Sequence, residues 1–167
     1  MNVLVVGSGG REHALVWKIS QSRLIGKLYC APGNPGIGEL AQLVNVHAAD
    51  IHGLVQFAAA NTIDLTVVGP EQPLAAGITD EFERQGLAVF GPSRLAAELE
   101  WSKAFAKDFM QRHHIPTASH RTFTSGQREA ARAYLASCPL PVVLKADGLA
   151  AGKGVVVCGT RGEAAET

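Results

Sequence analysis

The sequence predicts an α/β fold in which a parallel sheet, covered by helices on both faces, fills residues 1–100 and a smaller unit follows. Three observations predict it. Several strand-length segments read as unbroken apolar runs, not as alternating ones, which is the pattern of strands buried on both faces. These runs alternate with helical patterns, as parallel crossover units require. Nearly every run stops at glycine or proline, the residues that turn a strand end into a loop.

Taken in order, Val3-Leu4-Val5-Val6 is the first strand, and Gly7-Ser8-Gly9-Gly10 turns it into a helix from about Arg11 to Gln21. Leu28-Tyr29-Cys30 is the second strand, ended by Ala31-Pro32-Gly33-Asn34-Pro35-Gly36, and Val44-Asn45-Val46 is a weaker third. Asp50 suits the N-cap of a helix reaching about Asn61. Leu65-Thr66-Val67-Val68 is the clearest buried strand, closed by Gly69-Pro70. A helix near Gly77–Gln85 then leads to Leu87-Ala88-Val89-Phe90 and a second stop at Gly91-Pro92. Ligands of open parallel sheets sit beyond the carboxyl ends of the strands. Those ends carry Gly7–Gly10, Pro32–Gly36 and Gly69–Glu71, so these three loops are expected to converge on one crevice.

The pattern changes after residue 92. Residues 93–114 are mostly helical, with Ser102 as cap of the second of two helices, and Ile115-Pro116-Thr117 ends that stretch. A strand around Ser119–Phe123 and a helix from a Ser125 cap to about Ser137 are expected next. Val142-Val143-Leu144-Lys145, a loop through Gly154, and Val155-Val156-Val157 close the pattern. The reading is therefore a first domain over 1–100, a helical linker over 101–118 and a partial α/β unit over 119–167.

Composition narrows the function. With 47% hydrophobic and 18% charged residues, the 167-residue chain is an ordinary globular protein. A net charge of zero, no dense Lys/Arg run and 6% aromatic residues give no support for binding nucleic acid or an anionic membrane. No apolar run approaches the roughly 18–20 residues that span a bilayer, and the N-terminus lacks the basic start of a signal peptide. Cys30, Cys138 and Cys158 are odd in number, far apart and without metal spacing. They read as thiols of a reducing compartment, so a cytoplasmic location is expected.

Two glycine loops carry the chemistry. In Gly7-Ser8-Gly9-Gly10-Arg11-Glu12, a glutamate stands where a dinucleotide-binding turn needs its third glycine. The second strand also ends in Ala31-Pro32-Gly33-Asn34, without the acidic residue that binds ribose in such folds, which disfavours NAD. A helix N-terminus preceded by glycines can still hold one phosphate, with Arg11 beside it. The plainer reading is a tight turn without ligand. The second loop, Gly148-Leu149-Ala150-Ala151-Gly152-Lys153-Gly154, departs from the P-loop in spacing and runs into a valine strand instead of a helix. It therefore predicts a β-hairpin with a glycine tip, a flap over phosphates more than a cradle. Lys145 at the end of its strand is expected to be buried and to need an anion, and Lys153 to ride on the loop. The plainer reading here is an ordinary hairpin with solvated lysines.

Together these segments resemble the glycinamide ribonucleotide synthetase (phosphoribosylamine–glycine ligase) family of the ATP-grasp superfamily. The resemblance rests on Val5-Val6-Gly7-Ser8-Gly9-Gly10-Arg11-Glu12-His13-Ala14, Ala31-Pro32-Gly33-Asn34 and Ile63-Asp64-Leu65-Thr66-Val67-Val68-Gly69-Pro70-Glu71. It continues in order through Gly91-Pro92, Ser102-Lys103-Ala104-Phe105-Ala106-Lys107-Asp108-Phe109 and Lys145–Val157. It implies a Rossmann-like pre-ATP-grasp domain, a helical linker and the first part of an ATP-grasp lid. It further implies ligation of 5-phosphoribosylamine to glycine through an acyl phosphate, with ATP cleaved to ADP and phosphate. Gly9, Gly10 and Arg11 become candidates for the phosphate of phosphoribosylamine, Glu71 for ribose hydroxyls or the amine, and Asn34 for the lining of the same crevice. Lys103, Lys145, Gly148, Gly152, Lys153 and Gly154 become candidates for ATP. Trp101 departs from the small or polar residue usual in the family before Ser102-Lys103.

No residue is assigned as a metal ligand, and the acidic Mg²⁺ ligands are expected beyond Thr167. Members of the family are longer, so the chain on its own is expected to hold part of each substrate without turnover. The open strand edges of residues 119–167 are expected to be mobile, cleaved by proteases or paired with another copy. A different ATP-grasp carboxylate–amine ligase is the alternative, distinguished by whether the first crevice prefers a ribose phosphate.

Overall fold

The computed structural model describes residues 1–150 and 153–167. The chain divides into two compact units, Met1–Glu98 and Leu99–Thr167.

In the first unit, strands β1 (Asn2–Gly7), β2 (Lys27–Pro32), β3 (Gln42–Leu43), β4 (Leu65–Val68) and β5 (Val89–Phe90) form one sheet in the order β3-β2-β1-β4-β5. Every pairing is parallel. Helices α1 (Gly10–Ser20), α2 (Ile51–Ala60), α3 (Glu71–Ala75) and α4 (Ile78–Arg84) connect the strands, and α5 (Arg94–Trp101) follows β5 and runs from the first unit into the second. β1 is central, and its residues Val3 to Val6 are at most 3% exposed. Successive side chains of a strand point to opposite faces. Val3 and Val5 accordingly join Val16 of α1, Cys30, Ile37 and Val67 in one cluster. On the other face Tyr29, the register partner of Leu4, meets Phe57 of α2 edge to face at 5.3 Å. Burying each such aliphatic side chain contributes about 1.5–3 kcal/mol before entropy is counted, which explains why an unbroken apolar run is selected here.

Local signals set the helix ends. Asp50 caps α2, its Oδ1 accepting the Gly53 N–H at 3.0 Å. The chain winds from β1 to β2 on one side and returns to β4 on the other, so the sheet changes direction between β1 and β4. That switch point is where open α/β sheets leave a crevice.

Two expectations fail here. The third strand lies at Gln42–Leu43 instead of Val44–Val46. The Val46 N–H bonds the Val44 carbonyl at 2.8 Å, a three-residue turn that stops the extension just where the apolar pattern would continue it. A short helix, α3, also follows Pro70 where the sequence pattern gave only a loop.

In the second unit, α6 (Lys103–Arg112) starts at a Ser102 cap whose hydroxyl accepts the Phe105 N–H at 3.2 Å. α7 (Arg128–Ser137) is preceded by a 3-10 turn at Ser125–Gln127. Thr124, not Ser125, is therefore the cap residue, with Gln127 Oε1 accepting its N–H at 3.0 Å. β6 (Val142–Lys145) and β7 (Val155–Cys158) pair antiparallel, Val142 opposite Cys158 and Lys145 opposite Val155. The predicted hairpin is thus present. α8 (Arg161–Glu166) packs on α7, and Arg161 Nη1 donates to the carbonyls of Leu135 at 2.7 Å and Cys138 at 3.3 Å. A cation at these terminal carbonyls complements the helix dipole. The strand expected at Ser119–Phe123 does not form. Its one large apolar residue, Phe123, packs on Tyr134 of α7 at 5.7 Å, with the Arg121 guanidinium over both rings. The segment is thereby tied to a helix and offers no ladder to the hairpin.

Candidate functional site

In the first unit, the three strand-end loops meet at the switch point. Asn34, after β2, donates from Nδ2 to the Ser8 carbonyl at 2.8 Å and accepts the Ile37 N–H on Oδ1 at 3.0 Å. Arg11, in the first turn of α1, donates from Nη2 to Oε2 of Glu71, the first residue of α3, at 3.3 Å. The three loops therefore converge as expected and share a floor, with Gly7–Arg11 on one side and Gly69–Glu71 on the other.

The centre of that floor is a residue that sequence reasoning singled out only as a missing glycine. Glu12 is 3% exposed. Its Oε2 accepts the Gly9 N–H at 2.7 Å and its Oε1 accepts Arg11 Nε at 3.0 Å. A Cβ on Gly7 would approach the Glu12 side chain to 2.5 Å, one on Gly9 would meet Oε2 at 2.9 Å, and one on Gly69 would overlap the carboxylate. Gly7 also has φ +127, a conformation that side chains oppose. The glycines at the ends of β1 and β4 thus make room for a carboxylate. The third glycine of a dinucleotide turn, by contrast, lets helix and strand touch. The signal was legible as Glu12 itself, three residues after Gly9, the helix position from which an acidic side chain reaches back to the N-cap N–H.

These contacts alter the expected division of labour. The Gly9 N–H is taken by Glu12 and is not available to a phosphate. The N–H groups of Gly10 and Arg11 have no partner among the described residues, as the first turn of a helix leaves them. The Arg11 side chain, 59% exposed, already pairs with two carboxylates, so the cluster Glu12–Arg11–Glu71 carries a net negative charge. Its own backbone N–H first, and Arg11 second, hold the Glu71 carboxyl below the usual carboxylate range. Asn34 has both ends of its amide engaged and serves as a clip between loops. Beneath the floor, burial and then the Glu12 charge push the Cys30 thiol up to about 11, so it stays protonated at neutral pH. His13 lies against the β2 loop, within 2.8 Å of where a Cβ on Gly36 would sit.

In the second unit, the root of the glycine loop is fastened to the start of α6. Asp147 Oδ1 accepts the Ala104 N–H at 3.1 Å, and the Ser102 hydroxyl donates to Oδ2 at 3.2 Å. Burial raises the Asp147 pKa, but the N–H groups of Ala104, Gly148 and Lys103 and the Ser102 hydroxyl outweigh it, and the carboxyl is held low. Lys103 Nζ donates to the Gly148 carbonyl at 3.0 Å, with Gly148 at φ +87. Lys145 and Lys153 are exposed. The expectation of a buried strand-end lysine is therefore wrong, because alternation along a two-stranded hairpin turns Lys145 outward beside Val143 and Val157. Neither lysine has a carboxylate partner among the described residues, so both ammonium groups are available to an anion. Gly154 packs against Ala146 and Ala150, where a Cβ would come within 3.2 Å and 2.6 Å. Gly152 lies outside the described residues. Trp101 ends α5 with its buried Nε1 unpartnered.

The described residues contain no group of three or more His, Cys, Asp or Glu side chains that could hold a metal ion. No helix among them is long and apolar enough to cross a membrane.

The fold of a parallel α/β unit followed by a helix-anchored glycine hairpin recurs among solved structures. The biotin carboxylase of Campylobacter jejuni, solved as a complex with an ATP analogue, superposes with a TM-score of 0.77 at 18% identity over 99% of this chain and 40% of its own. Residues 1–100 match the phosphoribosylglycinamide synthetase N domain, and residues 101–167 match the ATP-grasp (A) domain of the same enzyme. The chain belongs to the phosphoribosylglycinamide synthetase family. The phosphoribosylamine–glycine ligase of Pasteurella multocida is 54% identical over 98% of this chain and 38% of its own length. The crystal structure of the Thermotoga maritima phosphoribosylamine–glycine ligase aligns with a TM-score of 0.77 at 29% identity, covering 99% of this chain and 38% of its own. The chain thus spans a little over a third of the relatives it matches.

Proposed function

We propose that this chain supplies the ribose-phosphate site and part of the ATP site of an enzyme that ligates 5-phosphoribosylamine to glycine. The products are glycinamide ribonucleotide, ADP and phosphate. The observation that carries the reading is the joining of the β1 and β4 loops by Arg11 and Glu71 at the switch point, in a chain 54% identical to a ligase of that name.

In this reading, the unpartnered N–H groups of Gly10 and Arg11 receive the substrate phosphate at the positive end of α1. Gly9 leaves room for the Glu12 carboxylate, which a Cβ there would meet at 2.9 Å. The negative cluster around Glu71 suits the hydroxyl and amine donors at the other end of the sugar. Arg11 orders the site more than it neutralises the phosphate. On the hairpin, Lys145 and Lys153 pair with ATP phosphates, and Gly148, Gly152 and Gly154 let its backbone approach them closely. Lys103 holds the loop root through Gly148 and keeps two further N–H donors for the nucleotide. The exposed hairpin valines Val143 (45%) and Val157 (67%) support pairing with a second copy, which sedimentation at increasing concentration would register as a dimer.

The test is a chimera in which residues 1–167 replace the matching segment of the Pasteurella multocida ligase. Formation of glycinamide ribonucleotide, reduced at least tenfold by Glu71→Gln, is the expected result. A folded chimera whose activity is indifferent to Glu71 would contradict the assignment.

A further inference from the structure

Building on the ribose-phosphate site just proposed, we infer that Glu12 is its positioning residue, fixing Glu71 through Arg11. Glu12 itself touches no substrate.

Three features of the structure carry this. The first is occupancy. The carboxylate of Glu12 is enclosed by Gly7, Gly9 and Gly69, so two loops from different strands are shaped around one side chain. The second is direction. An arginine that is 59% exposed has many rotamers, and holding it in one costs entropy. Glu12 Oε1 takes Nε at 3.0 Å, which orients the guanidinium plane and leaves Nη2 to reach Glu71 at 3.3 Å. A guanidinium offers its donors in a fixed fork, so constraining Nε also aims Nη2. The third is continuity. The Gly9 N–H bond to Oε2 ties the same carboxylate to the backbone of the phosphate-binding turn. The phosphate end and the sugar end of the site are therefore set by one buried group, across 60 residues of sequence between Arg11 and Glu71.

If Glu12 acts through Glu71, removing both carboxylates must cost no more than removing the more important one. Ribose 5-phosphate is titrated into the wild-type chain, Glu12→Gln, Glu71→Gln and the double variant. Each single variant is expected to weaken binding about tenfold, and the double variant to be no weaker than the worse single one, the mark of coupled residues. A double variant weakened by the product of the single effects would overturn the inference and leave the site standing. Absence of saturable binding by the wild type would overturn the site and the inference with it. Because glutamine in the cradle leaves an amide N–H facing donors, Glu12→Asp is measured beside it. It keeps the charge but is one methylene too short to reach both Gly9 and Arg11. In every variant, the Arg11 Nε–H resonance reports positioning independently of ligand. It is expected to be distinct and slow to exchange in the wild type and averaged in both Glu12 variants. An unchanged Arg11 resonance in a folded Glu12→Asp protein would also overturn the inference.

Discussion

Lys103 Nζ donates a 3.0 Å hydrogen bond to the carbonyl oxygen of Gly148, 45 residues further along the chain. A lysine at the start of α6 thereby holds the first glycine of the hairpin loop in its φ +87 conformation. Lys103→Met should leave α6 folded, because Ser102 still caps it. Amide hydrogen exchange at Gly148 and Ala146 should rise severalfold. Unchanged exchange there would show that the ammonium does not tether the loop.

Asp147 belongs to the same anchor, and its carboxyl is held low in the folded chain. A depressed folded pKa stabilises above the unfolded value of about 3.9, and that contribution disappears as pH falls through the folded pKa. The second unit should therefore lose stability progressively below about pH 4, and Asp147→Asn should flatten that part of the curve. Thermal unfolding of the two proteins between pH 2 and pH 7 checks the sign.

Ser102→Ala removes a cap and a donor to Asp147 together. It should cost about 1–2 kcal/mol in the second unit, measured by urea unfolding. Fluorescence of Trp101, the preceding residue, provides the probe in a Trp17→Phe background.

The glycines of the first site separate by what surrounds them. Gly69→Ala and Gly7→Ala place a methyl against the Glu12 carboxylate and should destabilise the first unit by at least about 1–3 kcal/mol. Gly10→Ala meets nothing within 4 Å. It should be neutral or stabilising by up to about 1 kcal/mol, since alanine suits a helix better than glycine. Equal effects at the three positions would contradict the cradle.

Much of the sheet was legible because burial on both faces leaves a mark in the sequence itself. Val3–Val6 and Leu65–Val68 read as strands for the reason that they are strands. Gln42–Leu43 did not, because both residues are exposed and pairing there follows backbone register, not apolar pattern. Ser119–Phe123 misled in the other direction: its composition suits a strand, but Phe123 finds its partner on α7. In the candidate site, Arg11 and Glu71 were visible as residue types beside glycine turns. Their pairing, and the carboxylate that organises it, depend on β1 and β4 being neighbours. No local pattern states that adjacency.

Backbone amide NMR of residues 1–167 during titration with ribose 5-phosphate shows whether the β1 and β4 loops form a ribose-phosphate site. A site shared by the two loops gives one saturating curve for the Gly10, Arg11 and Glu71 amides, with the hairpin resonances unmoved. Saturable shifts confined to residues outside Gly7–Arg11 and Gly69–Glu71, or no saturable shift, would contradict it.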